Sequence, residues 1–198
     1  MVHVYPLLTA TPILDFETTP IAQLIDERGW RDLSDTDKIG AVYDFVRNEI
    51  AFGYNRADDI PASEVLSDGY GQCNTKGTLL MALLRGVGIK CRIHGFTIHK
   101  GLQRGVVPEL VFPIAPPVEW TGQDTYIQET GIVKDFGTFD TPDAFYAEHE
   151  QKFGRMRGWL YRNIIRHWMN ARVRAFRAGR LKPDASIAHE HQGETHAT

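Results

Sequence analysis

In "GYGQCNTKGTLLMALLRGVGIKCR", Gly69 to Arg92, a cysteine stands at the mouth of an apolar helical pattern. The first N–H groups of a helix have no partners within it and carry partial positive charge. A thiol placed there, Cys73, has its thiolate favoured, and the thiolate is the nucleophile. Gly69 and Gly71 let the backbone come close to a substrate. The Cys73 N–H and a neighbouring donor, in the Gly71-Gln72-Cys73 turn, could hold a developing oxyanion. Cysteine is also a common small buried residue, and the helix by itself favours that plainer reading.

The elements that must position the thiol can be read around it. The helix runs from about Cys73 to Val87, with Leu79, Leu80, Leu83 and Leu84 as its buried stripe, and Gly88 stops it. Upstream, Thr19-Pro20 starts a short helix that Gly29 ends, with Thr19 as its cap. Ser34 caps a second helix with Asp35 and Asp37 in its first turn. There Ile39, Val42, Tyr43 and Val46 recur at helical spacing and predict one buried face. "IAFGYN" reads as an irregular turn into a groove, and Ser63 as the cap of a single helical turn. Downstream, "IKCRIHGFTI" alternates as a strand, with Ile89, Cys91, Ile93 and Gly95 on one face. "GVVPELVFPIAPPVEW" supplies a second strand that its prolines cut short. The stretch 125–149 reads as mixed turn and short helix. A long helix is expected over Met156 to Ala178, and disorder beyond Gly179.

Composition sets the frame. With 198 residues, 42% of them hydrophobic, the chain has the apolar mass for one soluble domain, or one domain with an appendage. No apolar run approaches the ~18 residues of a membrane span, and Met1 to Pro12 lacks the basic-then-apolar pattern of a signal peptide. Two cysteines, Cys73 and Cys91, make no disulfide framework, so reduced thiols in a cytoplasm are expected. Zinc-type CxxC spacing is absent, His189, His191 and His196 lie in a polar tail, and neither metal nor cofactor is expected. The net charge of −3 hides eight Arg and one Lys between Arg155 and Lys182, so the remainder carries −12. Leu160, Ile164 and Trp168, with Tyr161, Ile165, Met169, Val173 and Phe176 beside them, give that basic helix an apolar face. Arg162, Arg166, Arg172 and Arg177 edge it. It is expected to dock on the acidic body; an anionic membrane or phosphate backbone is the sharper reading, with no specific nucleic acid expected.

"GYGQCNTKGTLLMALLRGVGIKCRIHGF" resembles the nucleophile segment of the transglutaminase-like superfamily. It has the glycine-flanked Cys, the apolar helix with Leu-Leu-Arg, then Gly-Ile and a Cys-Arg strand. "DKIGAVYDFVRNEIAFGYN" is similar to the helix that commonly precedes it. The resemblance spans Thr36 to Phe96 and implies papain-like chemistry. The Cys73 thiolate attacks an amide or ester carbonyl of a protein or peptide, and an amine or water resolves the acyl-enzyme.

That pattern also implies a following strand with a His, often His-x-Trp, and a next strand with an Asp or Asn to orient it. Gly105 to Trp120 contains no histidine; Glu119 and Trp120 in "PPVEW" are its nearest counterpart. The substitutes are His94 and His99, with Asp135 or Asp140 as orienting group, although acidic residues between glycines commonly form turns. His167-Trp168 looks similar but sits on the basic helix. A deletion is expected at Pro116-Pro117.

The expectation is therefore an α+β, transglutaminase-like (papain-like) core over residues 1–150. It has an N-terminal helical part and a small, truncated antiparallel sheet. A basic helix over 151–180 and a disordered tail over 181–198 follow. The expected site is Cys73, His94 and Asp135, with Gly71, Gln72 and Trp120 shaping the groove. Loss of a general base costs about 10²–10⁴-fold. An impaired acyl-transfer or amide-hydrolysis enzyme and an inactive binding module on the same fold are both expected readings. A membrane- or nucleic-acid-associated protein acting through the basic helix is the third.

Overall fold

One glycine and two hydroxyl residues delimit the first helices in the computed structural model, which describes residues 7–98, 119–121, 132–148, 159 and 161–180. Helix α1 spans Thr19–Glu27; its cap position is Thr18 rather than Thr19, with Pro20 in the first turn. Gly29, at φ 64°, takes the left-handed conformation that ends it. Helix α2 spans Asp35–Asn48, and the Ser34 Oγ accepts the Asp37 N–H at 3.2 Å, as the sequence predicts. Its buried face is Val42, Phe45 and Val46, whereas Ile39 and Tyr43 are exposed. Phe45 wins the inner position because its ring meets Trp30 edge-on at 5.5 Å.

Strand β1 (Ala51–Phe52) pairs in parallel with β2 (Tyr70–Gly71), and helix α3 (Ala62–Asp68) lies between them in the chain. Pro61, not Ser63, caps α3; the Ser63 side chain instead bonds Asp15. Helix α4 (Cys73–Gly86) is the centre of the molecule. It is covered nearly all round from Thr78 onward, so it is a core helix rather than one with a single stripe, and Leu80 is only half-buried. Helices α1, α2 and α3 pack on it, and Gly86 is where α1 comes nearest: a Cβ there would meet Ile25 Cδ1 at 2.6 Å. Ile21, Ile25, Val42, Val65, Leu79 and Leu83 are fully buried in this layer, each stabilising by about 1.5–3 kcal/mol.

The sheet has the order β4-β3-β5, with β3 (Ile93–Ile98) antiparallel to both β4 (Glu119–Thr121) and β5 (Ile132–Phe139). Strand β3 begins at Ile93, so Ile89 and Cys91 precede it. The eight-residue β5 corrects the reading of 125–149 as turn and short helix. Gly137 pulled that reading toward a turn; it sits inside the strand at φ 78°, as part of a bulge. Helix α5 (Pro142–Glu148) follows and buries Phe145 against Gly95.

The C-terminal segment is not one regular helix. Tyr161–Ile165 form a π-helical turn and α6 spans Arg166–Arg177. Its expected apolar contact face is partly turned outward: Ile164, Trp168 and Phe176 are exposed, and the buried residue is Asn170. The expected strand over 105–116, the Pro116-Pro117 junction, His99 and the tail 181–198 lie outside the described residues. No helix among the described residues is long and apolar enough to cross a membrane.

Candidate active site

Cys73 is the first residue of α4 and is half-buried. A buried polar network fixes that helix start. Thr75 Oγ1 donates to Asn55 Oδ1 at 2.6 Å, and the Asn55 Nδ2 donates to Asp68 Oδ2 at 2.8 Å and to Tyr70 O at 3.0 Å. The Gln72 side-chain amide donates to Asp58. Asn55 and Thr75 are wholly buried, and buried polar groups that are all paired hold one geometry. Gly71 is required by close packing: a Cβ there would lie 2.7 Å from Thr75 Oγ1. On the other side, Asn74 Nδ2 donates to the Tyr146 hydroxyl of α5 at 3.2 Å.

His94 and Asp135 come together. His94 Nε2 lies 2.7 Å from Asp135 Oδ1, and the same oxygen accepts the Gly137 N–H at 2.7 Å. These bonds, the Gly137 N–H first and His94 second, hold the Asp135 carboxyl below its usual range. Bonding at Nε2 leaves Nδ1 of a neutral ring as the acceptor, the form a general base needs. The ring also stands edge-on to Phe96 at 5.8 Å.

His94 rims a depression of about 30 Å³ between the sheet and α4, lined also by Gly77, Leu80, Met81, Cys91 and Ile93. Cys73, Gly77, Leu80 and Leu84 fall at i, i+4, i+7 and i+11, on one helix face. Cys73 is therefore one turn beyond the depression on the face that lines it.

The other expected residues have different places. Asp140 pairs with Arg92 at 2.6 Å, and its carbonyl accepts from Arg85, so it does not orient an imidazole. Gln72 is buried and its side chain is bound to Asp58, so the backbone is the part of Gln72 left for an oxyanion role. Trp120 is in β4 opposite Phe96. His167 is exposed on α6. Burial pushes the Cys91 thiol up, against the opposing pull of Arg85. Among the described residues no group of His, Cys, Asp and Glu could hold a metal.

Sequence reasoning missed Tyr54, Asn55, Asp58 and Asn170. A signal was present: Asn55 and Asp58 are polar residues in a loop between Gly53 and Pro61, where an exposed turn needs no such pairing. Asn170 carried none, because a lone asparagine on a basic helix looks like solvated surface.

No curated protein matches the chain. A solved structure of a candidate cysteine protease from Cytophaga hutchinsonii is similar at 12% identity, with a TM-score of 0.46, over 71% of this chain and 48% of that one. The chain thus spans about half the length of that protein. The family model described as the transglutaminase-like superfamily matches residues 26–124, half of the chain, from the end of α1 through α4 and β4. This chain, with its glycine-flanked cysteine at the start of a core helix and an antiparallel sheet behind it, belongs to the transglutaminase-like superfamily.

Proposed function

We propose that the chain transfers or hydrolyses acyl groups through Cys73, with His94 as base and Asp135 orienting it. The 2.7 Å contact of His94 Nε2 with Asp135 Oδ1 is the observation that carries the reading. The Cys73 thiolate adds to an amide or ester carbonyl of a protein or peptide. The oxyanion is met by the N–H groups of the first turn of α4, which have no acceptor within the helix. His94 takes the Cys73 thiol proton and gives it to the departing amine or alcohol, a thioester remains, and water or an amine, deprotonated by His94, resolves it. His94 and Asp135 are 44% and 55% exposed, so solvent screens the pair and slow turnover is expected.

Hydrolysis of a peptide or activated ester by the wild type, Cys73→Ala, His94→Ala and Asp135→Asn tests this. Cys73→Ala abolishes turnover, and His94→Ala lowers it by about 10²–10⁴-fold. Full turnover in Cys73→Ala contradicts the reading; binding without turnover in the wild type makes the chain a binding module.

One observation favours a second role. Trp159, Ile164, Trp168 and Phe176 are exposed beside Arg162, Arg172 and Arg177, the pattern of a helix that lies on an anionic membrane. Co-sedimentation with phosphatidylserine vesicles but not with phosphatidylcholine vesicles supports it; equal recovery with both rejects it.

A further inference from the structure

The loop from Gly53 to Asp58 grips the chain on both sides of Cys73. The Gly53 N–H donates to Gly71 O at 3.1 Å. The Gln72 side-chain amide donates to Asp58. Thr75 Oγ1 donates to Asn55 Oδ1 at 2.6 Å. Gly71 and Gln72 precede the cysteine and Thr75 follows it. The loop contains neither helix nor strand, so groups from elsewhere must satisfy its backbone and set its shape.

Those groups come from the C-terminal segment. Asn170 is buried on a helix whose large apolar side chains are mostly exposed. Its amide is spent on one residue: the Tyr54 N–H donates to Oδ1 at 2.7 Å and Nδ2 donates to Tyr54 O at 3.1 Å. Tyr161 donates its hydroxyl to Asn55 O at 3.3 Å, holding the next residue. Gly53 marks how closely the parts fit, since a Cβ there would lie 3.2 Å from Asn170 Oδ1.

The segment is irregular in the way this grip requires. In a regular α-helix, Tyr161 and Asn170 would point about 180° apart, at roughly 100° per residue. The π-helical turn over Tyr161–Ile165 takes an extra residue, which brings them to within about 80°. Both side chains then reach one loop.

We propose that Asn170 and Tyr161 are positioning residues for Cys73: they lock the loop that holds Gly71, Gln72 and Thr75 around it. This rests on Cys73 being the nucleophile. The Cys73 sulfur and the N–H groups of the first turn of α4 keep their spacing only while that loop is fixed. A misplacement of about 1 Å costs about 10²-fold in rate. The C-terminal segment is thus part of the site and not an appendage to it.

Acylation of Cys73 by a p-nitrophenyl ester, with hydrogen exchange read on the same full-length chains, tests the proposal. Asn170→Ala lowers the maximal acylation rate by about 10- to 100-fold and leaves the half-saturating ester concentration unchanged. Asn170→Asp, which accepts the Tyr54 N–H but cannot donate to its carbonyl, falls between. Amide exchange rises in residues 53–58 and 69–76 and stays as it was in the rest of α4. Gly86→Ala is the control at the far end of α4, where the added Cβ meets Ile25; it lowers the melting temperature without slowing acylation. Unchanged acylation and exchange in folded Asn170→Ala, with only the melting temperature lowered, overturns the proposal. If Asn170→Ala does not fold, the same result in Tyr161→Phe overturns it. Failure of the enzymatic reading is distinct: no ester acylates wild-type Cys73, and exchange at 69–76 alone then decides whether Asn170 holds the helix start.

Discussion

His94 bonds Asp135 although the strand register sets His94 opposite Thr138. In an unbroken antiparallel ladder Asp135 would face the other side of the sheet, since side chains alternate with a period of two. The pairing shifts by one residue between Gly95 and Phe96, so Gly95 faces Gly137 while Phe96 faces Asp135. Phe136 is the extra residue, and the bulge turns Asp135 onto the face of His94. Gly137 then supplies its N–H to the same carboxylate.

Gly137→Ala should strain this bulge, because Gly137 sits at φ 78°. A side chain in the left-handed region costs about 1–2 kcal/mol. Urea unfolding should show that loss, and the carboxyl titration of Asp135 should rise toward the ordinary 3.8. A variant with unchanged stability and titration would mean that the bulge does not hold the carboxylate.

The pH dependence of Asp135 has a defined sign. Its folded value is depressed, so its stabilising effect is present above the unfolded value and fades as pH falls through the folded one. Carbon-13 NMR should find the Asp135 carboxyl ionised below pH 3.8. Asp135→Asn should flatten the stability curve in that acid window.

Tyr54 acts at the other end of the scale. Its phenol stays protonated in the fold at pH values where an unfolded tyrosine, with a value of about 10, ionises. The unfolded state then binds fewer protons, so stability declines as pH rises from about 10 toward the folded value. Tyr54→Phe should lessen that decline in a thermal melt series. An identical slope in both proteins would place Tyr54 in solvent.

Gly95→Ala should destabilise the packing of α5 on the sheet. Its added methyl would run into the buried Phe145 ring. Overpacking of this kind costs about 1–3 kcal/mol, readable as a lower urea midpoint. An unchanged midpoint would show that α5 moves freely off the sheet.

Local chemistry made part of this readable from the sequence. Gly29, Ser34, Gly88 and the Cys73 helix act through their own neighbours, and each is where the sequence predicts. His94 and Asp135 were nameable as candidates, but they lie 41 residues apart and their meeting depends on a bulge that no local pattern encodes. The inner face of α2 was misread at Ile39 and Tyr43 because helical spacing alone cannot say which neighbour, Trp30 in this case, stands opposite. The C-terminal helix was misread for the same reason: its apolar residues suggested the contact, whereas an asparagine makes it.

The central claim, that Cys73 is an acyl-accepting nucleophile, is tested most directly by intact-protein and peptide mass spectrometry after mixing with a p-nitrophenyl ester. The Cys73 sulfur should take the acyl group as a thioester and release p-nitrophenolate. Burial pushes the Cys91 thiol up, so the adduct should sit on Cys73 and not on Cys91. It should clear more slowly in His94→Ala than in the wild type, because no base activates the water. Acyl adducts on Cys91 alone, or none on Cys73 when nitrophenolate is released, would contradict the account.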